Sequence, residues 1–110
     1  MLKKVYQPSK NIYQHLVFKG NFQLSYYDKK IKIFNTGTFI ENHLFWRGIE
    51  GYEPNSLKIW AKLSKTSDVV FDLGANTGVF SLLASSQNPS AVVYSFEPVE
   101  RNFEVLKKNV

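Results

Sequence analysis

Hydrophobic and polar positions alternate along the early part of the chain and then change period. Phe22, Leu24 and Tyr26 are separated by Gln23 and Ser25, and Ile31-Lys32-Ile33 resumes the period of two after the polar Asp28-Lys29-Lys30. Side chains two apart share one face of a strand, so this pattern predicts a β-hairpin, although its turn lacks Asn-Gly or Asp-Gly. His15 to Lys19 is expected to add a short strand ending at Gly20-Asn21, and Asn35-Thr36-Gly37 to form a turn.

From Glu53-Pro54 onward the period is helical. Leu57, Trp60, Ala61 and Ser64 fall on one face, and proline suits a helix's first turn because that turn has no use for its missing N–H. A helix is predicted from about Pro54 to Lys65, with Trp60 read as a core residue. Val69-Val70-Phe71 is a short apolar, β-branched run of the kind found in strands buried on both faces of a parallel sheet. Val79, Leu82 and Leu83 return to helical spacing, Ala91 to Phe96 reads as a second buried strand, and Phe103, Leu106 and Val110 as a further helical stripe. Helix, strand, helix, strand, helix is the order of an α/β fold wound around a parallel sheet.

Composition divides the chain at the same place. The first 52 residues hold eight Lys and Arg against three Asp and Glu, whereas residues 53–110 hold six of each, so the whole net charge of +5 belongs to the first part. Eleven of the seventeen aromatic residues also lie there, which puts a boundary near Gly51. The expected organisation is a β-rich N-terminal segment over 1–52 and an α/β portion over 53–110. At 110 residues and 44% hydrophobic, the chain supports one globular domain, and disorder is excluded as its whole state.

With no cysteine there is no disulfide framework or thiolate site, and a reducing cytoplasm is the expected setting. The start, Met1 to Pro8, has the charge of a signal peptide without the apolar stretch that must follow, and no later run approaches the ~18 apolar residues of a membrane helix. Neither a membrane nor export is expected. His15 and His43 lie far apart without an acid in ligand spacing, so no metal site is assigned. Lys29, Lys30 and Lys32 beside Tyr26, Tyr27 and Phe34 offer a basic, aromatic patch, but a solvated hairpin face explains the same letters and nucleic acid is disfavoured as a partner.

The chemistry is expected in Asp72-Leu73-Gly74-Ala75-Asn76-Thr77-Gly78, between the first buried strand and its following helix, where open α/β sheets bind ligands. Gly74 allows a sharp turn and a close ligand approach, and Gly78 removes a side chain where the helix begins. Glu97, about 20 positions further on at the end of the second strand, is placed to accept hydrogen bonds from both hydroxyls of a ribose. A dinucleotide fingerprint would need glycine at Asn76 and Val79, and a P-loop would need Lys and Ser or Thr where Val79-Phe80 stands, so neither is matched. The leading acid, Asp72, suits a ligand with an ammonium and a sulfonium. Asp72 is equally placed to cap the following helix, and capping is the favoured role for the side chains of Asn76 and Thr77.

Val70 to Gly78, then Tyr94-Ser95-Phe96-Glu97-Pro98, then Asn102 to Asn109 together resemble the S-adenosylmethionine-binding half of the FkbM family of methyltransferases. Gly51-Tyr52-Glu53-Pro54 and Leu57-Lys58-Ile59-Trp60 resemble that family's lead-in, so the likeness covers roughly residues 50–110. It implies a class I, doubly wound (Rossmann-like) methyltransferase sheet. The cofactor would be S-adenosylmethionine, held by Asp72, Gly74, Ala75, Asn76, Gly78 and Glu97. The turn would take the methionine end, and Tyr52-Glu53 is either a lining of that end or a capped helix start. Methyl transfer to a small-molecule or glycan hydroxyl is the implied reaction.

Complete members continue through further strands with an Asp-x-Glu-Gly segment and the acceptor pocket, whereas this sequence stops at Val110 within a helical pattern. The expectation is therefore a truncated or partial methyltransferase, for which no general base is assigned, whose two-stranded parallel sheet would expose apolar faces. The alternative is a non-catalytic remnant or basic interaction module with weak or no nucleoside binding.

Overall fold

The computed structural model describes residues 7–110, so the part of the opening stretch from Met1 to Tyr6 lies outside the described residues. A four-residue helix, α1 (Lys10–Tyr13), leads into the hairpin of β1 (Gly20–Tyr26) and β2 (Lys29–Asn35). A second helix, α2 (Phe39–Arg47), runs into a 3₁₀ turn over Gly48–Gly51. Then follow α3 (Pro54–Ser64), β3 (Val69–Leu73), α4 (Val79–Gln87), β4 (Val92–Phe96) and α5 (Glu100–Asn109). The fold is mixed α/β with two two-stranded sheets, one antiparallel and one parallel.

The hairpin forms where the period of two predicts it, with Phe22 opposite Ile33 and Leu24 opposite Ile31. These four side chains are buried, while Asn21, Gln23, Ser25, Lys30 and Lys32 face outward. A two-residue turn, Tyr27-Asp28, joins the strands, with Tyr27 in the left-handed region at φ 50°. That conformation is usually left to Gly or Asn, which is why the turn was weakly signalled. After β2, the Asn35 side-chain oxygen accepts the Gly37 N–H at 2.8 Å, an Asx turn of the kind expected there.

Two expectations for the first part fail. His15 to Lys19 is not a strand: it is a turn and an irregular segment after α1, with Leu16, Val17 and Phe18 all exposed. Among the described residues no neighbouring strand pairs with it, and a strand without a partner leaves its backbone groups unpaired. The segment is tied down instead by the Trp46 indole N–H, which donates to the Leu16 carbonyl at 2.8 Å. The second departure is α2, which makes the first part more helical than the β-rich segment expected. Thr38-Phe39-Ile40-Glu41 has the letters of a capping box at its start, a signal that the density of aromatic residues obscures.

One core runs through both parts. Phe22, Leu24, Ile31 and Ile33 from the hairpin meet Leu44, Ile49, Leu57, Ala61, Val79 and Leu83. Helix α4 packs on β2 and also on β3 and β4, so it joins the two sheets. On α3, Leu57, Ala61 and Ser64 are buried and Trp60 is half-buried, its indole N–H donating to the Phe80 carbonyl at 2.9 Å. On α5 the buried face is Val105 and Leu106, while Phe103 and Val110 of the predicted stripe are exposed.

The parallel pair aligns Val69 with Val92, Phe71 with Tyr94 and Leu73 with Phe96. Burial on both faces is not observed: Val70 and Asp72 are buried, but Val69, Phe71 and Leu73 are exposed, as are Val92, Tyr94 and Phe96. Helix α4 covers one face, and among the described residues nothing covers the other. The exposed apolar face expected of a two-stranded parallel sheet is present.

Candidate functional site

The turn after β3 is built by backbone contacts to β4. The N–H groups of Gly74 and Ala75 both donate to the Phe96 carbonyl at 2.9 Å, and the Gly78 N–H closes the turn on the Ala75 carbonyl at 2.8 Å. Gly74 has φ +81° and no heavy atom within 4 Å of where a side chain would begin, so the chain lies open to a close approach on that side. Gly78 has φ +99°, and an added Cβ would stand 2.7 Å from Leu106 Cδ1. Its smallness lets α5 pack over the start of α4. Asn76 is also left-handed, at φ 52°.

The two regions singled out by spacing are joined directly. The Asn76 N–H donates to Glu97 Oε2 at 2.8 Å, and Glu97 Oε1 accepts the Val99 N–H at the same distance. Glu97 is half-buried, and each carboxylate oxygen retains acceptor capacity beyond its backbone bond.

Asp72 points elsewhere. It is buried, and its Oδ2 accepts the Ser81 hydroxyl at 2.5 Å, while Ser81 lies 2.6 Å from Ser95. Ser81 has one proton to donate and spends it on Asp72, so Ser95 is the donor in the second bond. Asp72 thus links β3, α4 and β4. It does not cap α4, and neither do Asn76 and Thr77, since Gly78 is the N-cap residue and no side-chain cap bond forms. The predicted capping fails because Thr77 is drawn away: its hydroxyl donates to Glu41 on α2, and its carbonyl accepts Asn109 Nδ2 at 2.7 Å. Asn109 Oδ1 takes the Phe34 N–H at 2.9 Å, so one amide ties the turn to the hairpin.

Two cavities adjoin this region. One, of about 90 Å³, is lined by Ile40, Tyr52, Gly74 to Thr77, Val79 and Phe80; the other, about 370 Å³ and open, is lined by Ser95 to Pro98 and Phe103. The first is too small for a nucleoside, since drug-sized pockets start near ~300 Å³, but it has room for one end of a ligand. Burial pushes the Tyr52 phenol above its ordinary value, and the Glu53 charge, a hydrogen bond to Glu53 and the Glu41 charge push the same way. Tyr52 therefore stands at the cavity as a neutral group. A larger cavity of about 390 Å³ at His15 to Phe18, Phe45 and Trp46 lies away from these residues.

Glu41 and Asn109 are residues of the site that reasoning from sequence missed. An acid in a helix's first turn is ordinarily explained by the macrodipole, and nothing in its spacing announces a contact 36 positions away. Among the described residues no cluster of three or more His, Asp or Glu is placed to hold a metal, and no helix is long and apolar enough to cross a membrane.

Comparison with known proteins gives a partial match. Over 45 residues, 41% of this chain, the sequence is 44% identical to the 31-O-demethyl-FK506 methyltransferase FkbM of Streptomyces tacrolimicus. The matched region spans 17% of that protein's length. No protein-family model matches, and no solved structure matches. Part of this chain is accordingly methyltransferase-related in sequence.

Proposed function

We propose that the chain is the cofactor-binding portion of an S-adenosylmethionine-dependent methyltransferase. In this reading β3, α4, β4 and α5 open a doubly wound, Rossmann-like sheet, residues 53–110 belong to the cofactor-binding domain and residues 1–52 form its N-terminal extension. Gly74, Ala75, Asn76 and Gly78 shape the turn that takes the methionine end, Glu97 takes the ribose, and Asp72 orients the turn through Ser81. The observation that carries the reading is the Asn76 to Glu97 hydrogen bond, by which the acid at the end of β4 meets the glycine turn, with a cavity on each of the two residues. The open space at Gly74 and the remaining acceptor capacity of Glu97 fit the group.

The bound cofactor would supply an electrophilic methyl on a sulfonium, and what the chain supplies is position and exclusion of water. The relative's name describes methylation of a 31-O-demethyl compound, which supports a hydroxyl as the acceptor here. The acceptor pocket and any base would lie in chain beyond these residues or on a partner.

An amide NMR titration with S-adenosylhomocysteine tests the reading. Shifts at residues 72–78 and at Glu97 are expected, with no response to NAD. Glu97→Ala should weaken binding by about 1.5–3 kcal/mol, the range for hydrogen bonds to a charged group. Unchanged affinity in that variant would remove Glu97 from the site, and a silent turn would remove the reading.

A further inference from the structure

All five buried side-chain atoms that lack a hydrogen-bond partner among the described residues fall between Asn35 and His43: Asn35 Nδ2, Thr38 Oγ1, Glu41 Oε2, Asn42 Oδ1 and His43 Nε2. Buried polar atoms are ordinarily satisfied, and a carboxylate oxygen is the costliest of these to leave alone. Glu41 is fully buried and forms no ion pair among the described residues.

The position of Glu41 is unusual for its sequence. With Thr38 it has the spacing of a capping box, in which it would turn back to its own helix start. No such bond forms, and Thr38 Oγ1 is left without a partner. The carboxylate reaches Thr77 instead, one of the residues that line the 90 Å³ cavity, as does its chain neighbour Ile40. A second lining residue, Tyr52, feels the Glu41 charge.

The other acids near the cavity are already engaged. Asp72 holds Ser81, both oxygens of Glu97 hold backbone N–H groups, and Glu53 is exposed. Glu41 alone combines full burial with an oxygen that has no partner among the described residues.

We propose that Glu41 is the counter-charge for a ligand ammonium group seated in the cavity over Gly74 to Thr77, with Thr77 holding the carboxylate in place. The inference rests on the cofactor reading above and deepens it, because it moves recognition of the cationic end from Asp72 to a residue of the N-terminal part. The cavity's size suits an ammonium and the carbon bearing it. Glu41 itself is shielded from solvent behind Thr77, and a buried anion attracts a cation far more strongly than one in solution.

Calorimetric titration of the full chain with S-adenosylhomocysteine, and with its analogue in which hydrogen replaces the ammonium, provides the test. The unaltered protein should prefer the ammonium-bearing ligand at least about tenfold, the range of a hydrogen bond to a charged group. Glu41→Gln should collapse that preference by weakening only the ammonium-bearing ligand. A variant that weakens both ligands equally would reduce Glu41 to a structural support and overturn the proposal, and so would an unchanged preference. Should Glu41→Gln fail to fold, Glu41→Asp, which keeps the charge but draws it back by one carbon, should show a reduced preference, and an unaltered one overturns the proposal. Equal binding of both ligands by the unaltered protein overturns this inference alone, whereas binding of neither removes the cofactor reading and this inference with it.

Discussion

The two sheets have the same number of strands and opposite relations to water. In the hairpin, the alternation of side chains sends Phe22, Leu24, Ile31 and Ile33 into the core and a polar set outward, so two strands and the helices above them make a finished layer. In the parallel pair the same alternation buries Val70 and Asp72, yet the opposite face is also apolar, with Leu73 76% and Phe71 59% exposed. Phe71 stacks on Tyr94 with centroids 5.3 Å apart, so the aromatic rings cover one another in part. An antiparallel sheet can face solvent on one side by design of its sequence. A parallel one carries residues for two covered faces, and here one is covered.

The contrast predicts how each face answers substitution. Ile33→Ala, fully buried on the hairpin's inner face, should cost about 2–5 kcal/mol in urea unfolding, since both transfer and cavity contributions are lost. A much smaller loss would mean that the hairpin is peripheral to the shared core. Next in size is Gly78→Ala, which asks an L side chain to adopt φ +99° and to displace Leu106. A loss of roughly 1–3 kcal/mol is expected from the strained backbone alone. Loosening should appear in the amide signals of α5.

Asn109→Ala probes the link between the regions. It leaves the Phe34 N–H and the Thr77 carbonyl without their partner, and a cost of about 1–2 kcal/mol is expected. Hydrogen exchange should accelerate at Phe34 and in the 74–78 turn together; acceleration at one end only would break the coupling. Phe71→Lys, on the uncovered face, should leave the unfolding midpoint within roughly 0.5 kcal/mol, as exposed substitutions do. Its effect should be a higher solubility limit, measured by concentration-dependent light scattering.

The smallest effect is electrostatic. The Tyr52 phenol is held above its ordinary value by burial first and by Glu53 and Glu41 after it, so it ionises later in the folded protein than in the unfolded chain. Its contribution to stability is therefore fully present below the usual phenol value of about 10 and is lost as pH rises through the raised folded value. Tyr52→Phe should remove that component, so the two proteins' unfolding midpoints should keep a constant difference up to about pH 9 and converge toward or cross in favour of phenylalanine above it. A parallel decline of both would show that Tyr52 does not titrate late.

Local signals carried much of the architecture. The period of two produced the hairpin and its inner face, and the Pro54 start and apolar spacing produced α3 to within one residue of its predicted end. The strand, helix, strand, helix order after Gly51 followed from changes of period, as did the location of the glycine turn relative to Glu97. These features depend on neighbours a few residues apart, where propensity, turn chemistry and alternation act.

What failed depended on partners far along the chain. His15 to Lys19 carries the apolar run Leu16-Val17-Phe18, but whether a strand forms is decided by an adjacent edge, and among the described residues none pairs with it. Val69 to Phe71 has the composition of a two-face strand, but only packing decides how many faces are covered. Side-chain destinations were the least legible. Asp72 bonds Ser81 on α4, Thr77 bonds Glu41 across 36 positions, and Asn109 bonds Phe34 across 75. A hydrogen bond is directional and spans about 3 Å, so its partner is whichever group the packed core delivers to that point. Sequence by itself determined the order of elements, the hairpin's inside and outside, and a turn shaped for close approach. Tertiary structure alone decided that a buried acid from the first part of the chain stands behind that turn, because only the shared core brings α2 and the start of α4 together.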